Sequence, residues 1–124
     1  MEYRPWGGFE VLADYPGYKV KILTVNPGKR LSLQRHRWRT EVWVIVEGEA
    51  FIEEIARDYM GFYIEPYTYT LHNNDSTYIE KGWWHRVTNK QQTPLVILEL
   101  QTGNCFEDDI ERKEDDYGRV GIHS

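Results

Sequence analysis

The segment PGKRLSLQRH, residues 27–36, is the part of the sequence that decides the fold. It opens on a Pro-Gly turn and then alternates polar and apolar side chains, as a strand with one polar face does. The apolar face carries Leu31 and Leu33. The polar face carries Arg30, Ser32, Gln34 and His36. A solvent-exposed edge strand shows the same alternation, so the pattern leaves both a surface strand and a functional face open.

A second β-rich run, 41–47, follows and ends at a glycine. A hairpin between the two runs would bring Glu41 close to His36. Far along the chain, Gly82 precedes another histidine, His85, in a comparable place between a glycine turn and a strand. Two imidazoles and a carboxylate are common ligands of divalent transition metals. These three side chains are therefore candidates for a metal site.

Short β-rich runs separated by Gly, Pro and Asn turns fill the rest of the chain. Aromatic residues make up 15% of the sequence, and no sustained 3.6-residue apolar stripe is present. The runs are 18–25, 30–36, 41–47, 49–55, 62–65, 67–72, 77–80, 84–88 and 95–101. Many short strands at even spacing predict an antiparallel sandwich or barrel, and 124 residues suit one domain, 1–124.

Composition argues against several classes of partner. The net charge of -5 gives no basic surface for nucleic acid or an anionic membrane. The single cysteine, Cys105, excludes an internal disulfide and fits a reducing compartment. The N-terminus lacks the apolar stretch of a signal peptide, and the longest apolar run, 42–46, is too short to span a bilayer. We therefore expect a cytoplasmic location.

Two segments differ from the pattern of short, evenly spaced β-rich runs. The run 49–75 is rich in tyrosine and predicts a long hairpin that covers a pocket or forms a dimer contact. The segment 104–124 is dominated by charged residues. By composition alone, such a run predicts a solvated tail that is partly helical or disordered.

The spacing of the two histidine segments resembles the two signature motifs of the cupin family. Five residues separate Gly28 from Gln34, one separates Gln34 from His36, four separate His36 from Glu41 and six separate Glu41 from Gly48. Later in the chain, two residues separate Gly82 from His85. Gln34 replaces the first histidine of the cupin pattern, and Ser-x-Gln-x-His at 32–36 is similar to cupins that isomerise mannose 6-phosphate. The wider chain resembles the short domain of type II mannose-6-phosphate isomerases, which is often fused to a mannose-1-phosphate guanylyltransferase. The matching stretches are 4–7, 17–21, 30–34, 76–79, 85–86, 99–103, 107–110 and 114–119.

This resemblance implies an all-β fold, a single cupin double-stranded β-helix or jelly-roll barrel. Its core is expected over about 18–103, with an acidic C-terminal segment, 104–124. The resemblance also implies a metal deep in the barrel, held by Gln34, His36, Glu41 and His85. The neutral Gln34 favours Zn²⁺, while iron, manganese and nickel, and an iron oxygenase built on two His and a carboxylate, stay open.

The implied activity is a metal-dependent interconversion of mannose 6-phosphate and fructose 6-phosphate for sugar-nucleotide and polysaccharide synthesis. Such an isomerase needs a general base, for which Glu99 and Asp115, within the acidic cluster 114–116, are candidates. Ser32 and Arg39 match phosphate-binding positions of the resembled isomerases. Arg30, on the face of Ser32, and Arg86 and Arg119 are further candidates for binding the substrate.

Two other functions stay open, because the histidine-rich stretch of the family is here Arg37-Trp38 and Val42 replaces another histidine. One is a cupin acting on another sugar phosphate or a sugar nucleotide. The other is a non-catalytic cupin that binds a carbohydrate. A homodimer is expected in each case.

Overall fold

All regular structure in the described part of the chain is β-strand. The computed structural model describes residues 1–123, with side chains described as far as Val120, so the expected domain end at 124 lies outside the described residues. No helix long and apolar enough to cross a membrane occurs among these residues. The strands are β1 Glu2–Arg4, β2 Gly7–Tyr15, β3 Tyr18–Val25, β4 Leu33–Arg35, β5 Arg39–Glu47, β6 Ala50–Ile55, β7 Tyr67–Leu71, β8 Ser76–Ile79, β9 Trp84–Thr88, β10 Leu95–Gly103, β11 Ile110–Glu114 and β12 Gly121–His123.

The strands form two six-stranded antiparallel sheets, with orders β1-β2-β3-β10-β5-β8 and β12-β11-β4-β9-β6-β7. The core between them consists of buried apolar side chains from both sheets, including Trp43, Ile52 and Ile97. The predicted all-β, single-domain jelly roll is therefore confirmed. The sheets reach beyond the expected 18–103 on both sides, because β1, β2, β11 and β12 pair within them.

Three local expectations are wrong. The run 62–65 forms no strand, only an isolated bridge between Arg57 and Tyr63. The charged segment after 103 is not a solvated tail, since β11 pairs with β4 inside a sheet. The runs 30–36 and 41–47 form no hairpin, because β4 and β5 lie in opposite sheets.

The chain crosses from one sheet to the other between β4 and β5, and the side chain of Asp109 stabilises this crossing. Its carboxylate accepts the backbone N–H groups of Arg37, at 2.9 Å, and of Trp38, at 2.8 Å. A side chain from the C-terminal segment thus supplies the acceptors that a hairpin ladder would otherwise provide. Glu41 still reaches His36, although from the facing sheet.

The barrel interior is divided along its length into an apolar half and a polar half. Inward-facing residues of β3, β10 and β5 lie side by side in rows across the sheet. The apolar rows are Val25–Leu95 and Leu23–Ile97–Ile45. The polar rows are Lys21–Glu99–Trp43 and Lys19–Gln101–Glu41. Strands β3 and β10 therefore change from apolar to polar at the same height, and β5 does so one row later, at Glu41. The polar half holds nearly all of the candidate chemistry.

The outer face of the first sheet is unusually apolar. Antiparallel sheets with one solvated face normally alternate apolar and polar residues. Here two cross-strand rows on the outer face are aliphatic, Ile22–Leu98–Val44 and Val20–Leu100–Val42. Val46 and Tyr78, on the flanks of these rows, are about half exposed. We call this surface the outer aliphatic face.

Candidate metal centre

Three buried side chains in the polar half form the candidate metal centre. His36 follows β4, Glu41 lies on β5 and His85 on β9, so both sheets contribute. His36 Nε2 lies 3.4 Å from Glu41 Oε2, and His85 Nε2 lies 3.4 Å from Glu41 Oε1. One potential ligand atom from each residue lies within 4.8 Å of the other two. The structure thus brings together three of the four residues predicted as metal ligands.

Backbone carbonyls orient both imidazoles. His36 Nδ1 lies 2.7 Å from the carbonyl oxygen of Asp109, and His85 Nδ1 lies 3.0 Å from that of Trp83. Since a carbonyl only accepts, each Nδ1 carries the proton and each Nε2 directs its lone pair toward Glu41. This is the tautomer that metal-binding histidines use.

The electrostatics of the three residues differ. Burial lowers the pKa of His36 to about 3, despite the opposing charge of Glu41, so this imidazole is neutral. Burial would raise the pKa of Glu41, but the charge of Arg39 and the hydrogen bond and charge of His85 hold it well below the ordinary value. Glu41 in turn outweighs burial and raises the pKa of His85. A proton therefore competes with a metal for His85 Nε2.

The donor set fits a divalent transition metal. Glu41 Oε1 and His85 Nε2 are buried and have no hydrogen-bond partner in the described part of the chain. Buried polar atoms are rarely left unpaired, because each costs about 1–3 kcal/mol. Two imidazole nitrogens and a carboxylate that converge on one point supply the partners that such a metal needs.

Gln34 stands next to this centre. It is the cross-strand neighbour of His85 between β4 and β9. Its side-chain oxygen accepts a hydrogen bond from Ser32 Oγ at 2.8 Å. An amide oxygen has two lone pairs, so this bond leaves one of them available.

Arg39 lies against Glu41 and is almost fully buried. Its Nε donates to Glu41 Oε2 at 3.0 Å, and its Nη1 donates to the carbonyl oxygen of Phe106 at 3.2 Å. Its Nη2 lies 3.4 Å from His36 Nε2. Arg39 also lines a cavity of about 220 Å³ beside the centre. The guanidinium thus fixes the Glu41 carboxylate and faces the cavity.

Glu99 is a second buried carboxylate, on the wall of the same cavity. Trp43 Nε1 donates to its Oε2 at 2.9 Å, and Gln101 Nε2 donates to its Oε1 at 2.7 Å. Burial and then the charge of Glu41 raise the pKa of Glu99, although Arg39 and Lys21 oppose the rise. Two carboxylates in one site thus have pKa values displaced in opposite directions, an arrangement typical of acid–base sites.

The remaining candidate residues divide into two groups. Ser32 and Arg119 line the cavity. Asp115 holds Arg119 through an ion pair of 2.9 Å. Arg30 is paired with Asp116 and Arg86 with Glu53 and Glu114, and neither lines the cavity.

Sequence reasoning missed three cations of the cavity, Arg4, Lys21 and Arg112. In β3, the even positions Val20 and Ile22 are apolar, so hydrophobicity alone places them inside and the lysines outside. The structure shows the reverse, since Lys19 and Lys21 are buried. The available signal was Leu23 and Val25, which share the odd positions of the lysines and continue into the apolar core.

Glu107 joins the C-terminal segment to the buried lysines. Its Oε1 lies 2.7 Å from Lys21 Nζ and 3.0 Å from Lys19 Nζ. Burial raises the pKa of Glu107, but the hydrogen bonds and charges of the two lysines outweigh it and lower the pKa to about 2. The ionised carboxylate therefore stabilises the fold.

Replacing this carboxylate has a pH-dependent cost. We expect Glu107→Gln to lower the free energy of unfolding by about 1 kcal/mol near neutral pH, a value reduced for solvent screening. Because the folded-state pKa is depressed, the wild-type advantage is complete above the ordinary value of 4.5 and is lost as pH falls toward about 2. Denaturant unfolding at neutral and acidic pH measures it, with Asp108→Asn as the control. A deficit that is constant with pH would contradict this assignment.

The sequence also matches a known family. Residues 1–115 match the model of the family described as mannose-6-phosphate isomerase C-terminal. The chain belongs to that family. Among curated members, alginate biosynthesis protein AlgA of Pseudomonas aeruginosa is 42% identical over 119 residues, which are 95% of this chain and 23% of that protein. Mannose-1-phosphate guanylyltransferase of Klebsiella pneumoniae is 37% identical over 118 residues, or 94% of this chain and 23% of that protein.

The chain thus spans less than a quarter of the length of these two members of the mannose-6-phosphate isomerase C-terminal family. Solved structures support the fold. CapF of Staphylococcus aureus superposes with a TM-score of 0.77 at 19% identity, covering 92% of this chain and 31% of CapF. The cupin domain of Cnp3 of Schizosaccharomyces pombe gives a TM-score of 0.67 at 11% identity, covering 82% of this chain and 67% of that one. The cupin fold expected from the two motifs is therefore confirmed.

Proposed function

We propose that this domain is a metal-dependent aldose–ketose isomerase that interconverts mannose 6-phosphate and fructose 6-phosphate. The observation that carries the proposal is the buried His36–Glu41–His85 centre, which lies beside a cationic cavity with a second carboxylate, Glu99. Membership of the mannose-6-phosphate isomerase C-terminal family supports the choice of substrate.

The reaction moves a proton between two adjacent carbons of the sugar and needs stabilisation of the charge that develops on their oxygens. A divalent metal held by His36, Glu41 and His85, with Gln34 as the fourth ligand, would supply a Lewis acid for that charge. Nitrogen and neutral or anionic oxygen donors suit Zn²⁺, which is the metal we propose.

Glu99 is the proposed general base, because it lies on the cavity wall and its two hydrogen-bond donors hold its carboxylate in place. Each of its oxygens keeps a lone pair for the sugar proton. Arg39 positions Glu41 and presents a cation to the substrate. Ser32 contributes a hydroxyl to the cavity wall, and Asp115 acts through Arg119.

The test is a coupled assay on purified protein that follows fructose 6-phosphate formed from mannose 6-phosphate. Turnover should disappear on chelation and return with added Zn²⁺, and metal analysis should find about one ion per centre. Folded, metal-loaded protein without turnover would contradict the proposal. A panel of other sugar phosphates and sugar nucleotides then separates a different isomerase from a carbohydrate-binding cupin.

Mannose 6-phosphate formed by this interconversion would feed sugar-nucleotide and polysaccharide synthesis, including GDP-mannose, in the cytoplasm, where phosphorylated sugars are made. The named functions of the relatives in alginate biosynthesis and mannose 1-phosphate guanylyl transfer support this placement.

We also propose that the domain forms a homodimer through the outer aliphatic face. The two aliphatic rows of this face run across β3, β10 and β5, and Tyr78 of β8 extends one of them. Because a contiguous exposed apolar face is normally covered, a second copy packed sheet against sheet is the occupant that fits this chain alone.

The substitution Leu98→Lys should therefore yield a monomer, since a lysine in the centre of the face cannot be desolvated without a partner. Light scattering coupled to size-exclusion chromatography measures the mass of the variant and of the wild type. Val120→Lys, at an exposed position off the face, is the control. A monomeric wild-type protein would contradict the dimer and would leave the face to another polypeptide.

A further inference from the structure

Three arginines from the two ends of the sequence meet on one wall of the 220 Å³ cavity. Arg4 ends β1, Arg112 lies in β11 and Arg119 follows β11. The other two cations of the cavity face carboxylates, Lys21 at 2.7 Å from Glu107 and Arg39 at 3.0 Å from Glu41. Two of the arginines do so as well, Arg4 at 3.1 Å from Glu2 and Arg119 at 2.9 Å from Asp115. Within the described part of the chain, Arg112 is therefore the cavity cation whose charge is least compensated.

Arg112 is the least satisfied of them. Its Nε is buried and has no hydrogen-bond partner among the described residues. Burial, followed by the charges of Arg119 and Arg4, lowers the pKa of Arg112, against the opposing effect of Asp115. A guanidinium that is crowded by like charges and keeps an unpaired donor is stabilised by an anion.

The neighbours of Arg112 define its distance from the metal centre. Arg112 faces Gln34 across β11 and β4, and Gln34 faces His85 across β4 and β9. Adjacent strands lie about 4.8 Å apart, so the backbones of Arg112 and His85 are about 10 Å apart. A ligand that reaches from the centre to Arg112 must be extended and must end in an anionic group.

We propose that Arg4, Arg112 and Arg119 bind the phosphate group of a hexose 6-phosphate at the end of the cavity away from Glu41. The identity of the sugar rests on the proposed function, whereas the anion site does not depend on it. A hexose 6-phosphate carries its phosphate at the opposite end from the two carbons that isomerise. Guanidinium groups match phosphate oxygens with paired N–H donors, and three of them surround the dianion.

The site differs from the one that the sequence predicts. It uses Arg119 of the predicted set, adds Arg4 and Arg112, and leaves Arg30 and Arg86 in their ion pairs outside the cavity. Asp115, bonded to Arg119 at 2.9 Å and 3.2 Å, orients that guanidinium.

The experiment measures binding of inorganic phosphate to the full chain by calorimetry at low ionic strength, with chelator present so that neither metal nor turnover is needed. The wild type should bind phosphate. Arg112→Gln should weaken binding at least about tenfold, and Arg4→Gln should weaken it severalfold. Lys90→Gln, which also removes one positive charge but lies over Phe51 away from the cavity, should bind within about twofold of the wild type. Mannose 6-phosphate should displace phosphate, and unphosphorylated mannose should not.

Thermal unfolding checks that each variant is folded. If Arg112→Gln does not fold, Arg4→Gln still tests the proposal. Wild-type protein that does not bind phosphate would overturn the proposal. So would folded Arg112→Gln and Arg4→Gln variants that bind it like Lys90→Gln, or displacement by mannose as effective as by mannose 6-phosphate. Phosphate binding that follows these expectations in a protein without isomerase activity would sustain the anion site and reject the isomerase.

Discussion

The Glu41→Gln variant should bind its metal at least about 100-fold more weakly than the wild type and should lose measurable isomerase turnover. Glu41 is the residue that both imidazoles face, at 3.4 Å each. The amide removes the negative charge from the centre and can direct an N–H group at the histidine lone pairs. It also leaves the buried Arg39 without its carboxylate, which should cost about 3–5 kcal/mol of stability.

Metal analysis after dialysis and titration against a competing chelator measure the affinity, and denaturant unfolding measures the stability. Glu47→Gln, at the exposed end of the same strand, is the matched control and should behave like the wild type. Unchanged metal affinity in folded Glu41→Gln protein would place the metal elsewhere.

The second large effect concerns Glu99. We expect Glu99→Gln to lower kcat by about 10²- to 10⁴-fold, the usual contribution of a general base, with metal content unchanged. Trp43 and Gln101 donate to different oxygens of Glu99, and an amide replaces one of these oxygens by an NH2 group, so one donor loses its acceptor and stability should fall by about 1–2 kcal/mol. KM for mannose 6-phosphate should change little, because the predicted phosphate contacts lie on other residues.

The separation of kcat from metal content distinguishes this role from a structural one. Trp43→Phe keeps the carboxylate but removes one of its two donors, so it should reduce kcat less than Glu99→Gln does. A Glu99→Gln variant that keeps wild-type kcat would move the base to another group. A variant that loses its metal would make Glu99 part of the centre instead.

The convergence of His36, Glu41 and His85 could be predicted from the sequence, because these residues stand at the ends of short strands with the spacing of the cupin motifs. The fold could be predicted because the spacing of short β-rich runs and the turn residues between them are local properties of the sequence. The crossing between β4 and β5 could not be predicted from the sequence. The acceptor that replaces the hairpin ladder is Asp109, which lies more than 70 residues later in the chain.

The orientation of β3 was not predicted, because Val20 and Ile22 on one face compete with Leu23 and Val25 on the other. Only the register against β10 and β5 shows that Lys21 stands beside Glu99 and Lys19 beside Gln101. Composition failed for the C-terminal segment because several of its carboxylates pair with barrel cations while they stay partly exposed, as Glu107 does with Lys19 and Lys21.

The hydrogen bond from His36 to Asp109 has a consequence for biosynthesis. The two residues are 73 positions apart, so at 5–20 residues per second about 4–15 s separate their addition to the growing chain. During that interval the imidazole lacks the carbonyl that selects its tautomer, and Lys21 lacks the Glu107 carboxylate. The barrel wall is completed only shortly before Asp109 is added, because β10, which lies between β3 and β5, ends at Gly103. The orientation of His36 in the candidate metal centre therefore waits for synthesis of the segment that contains Asp109.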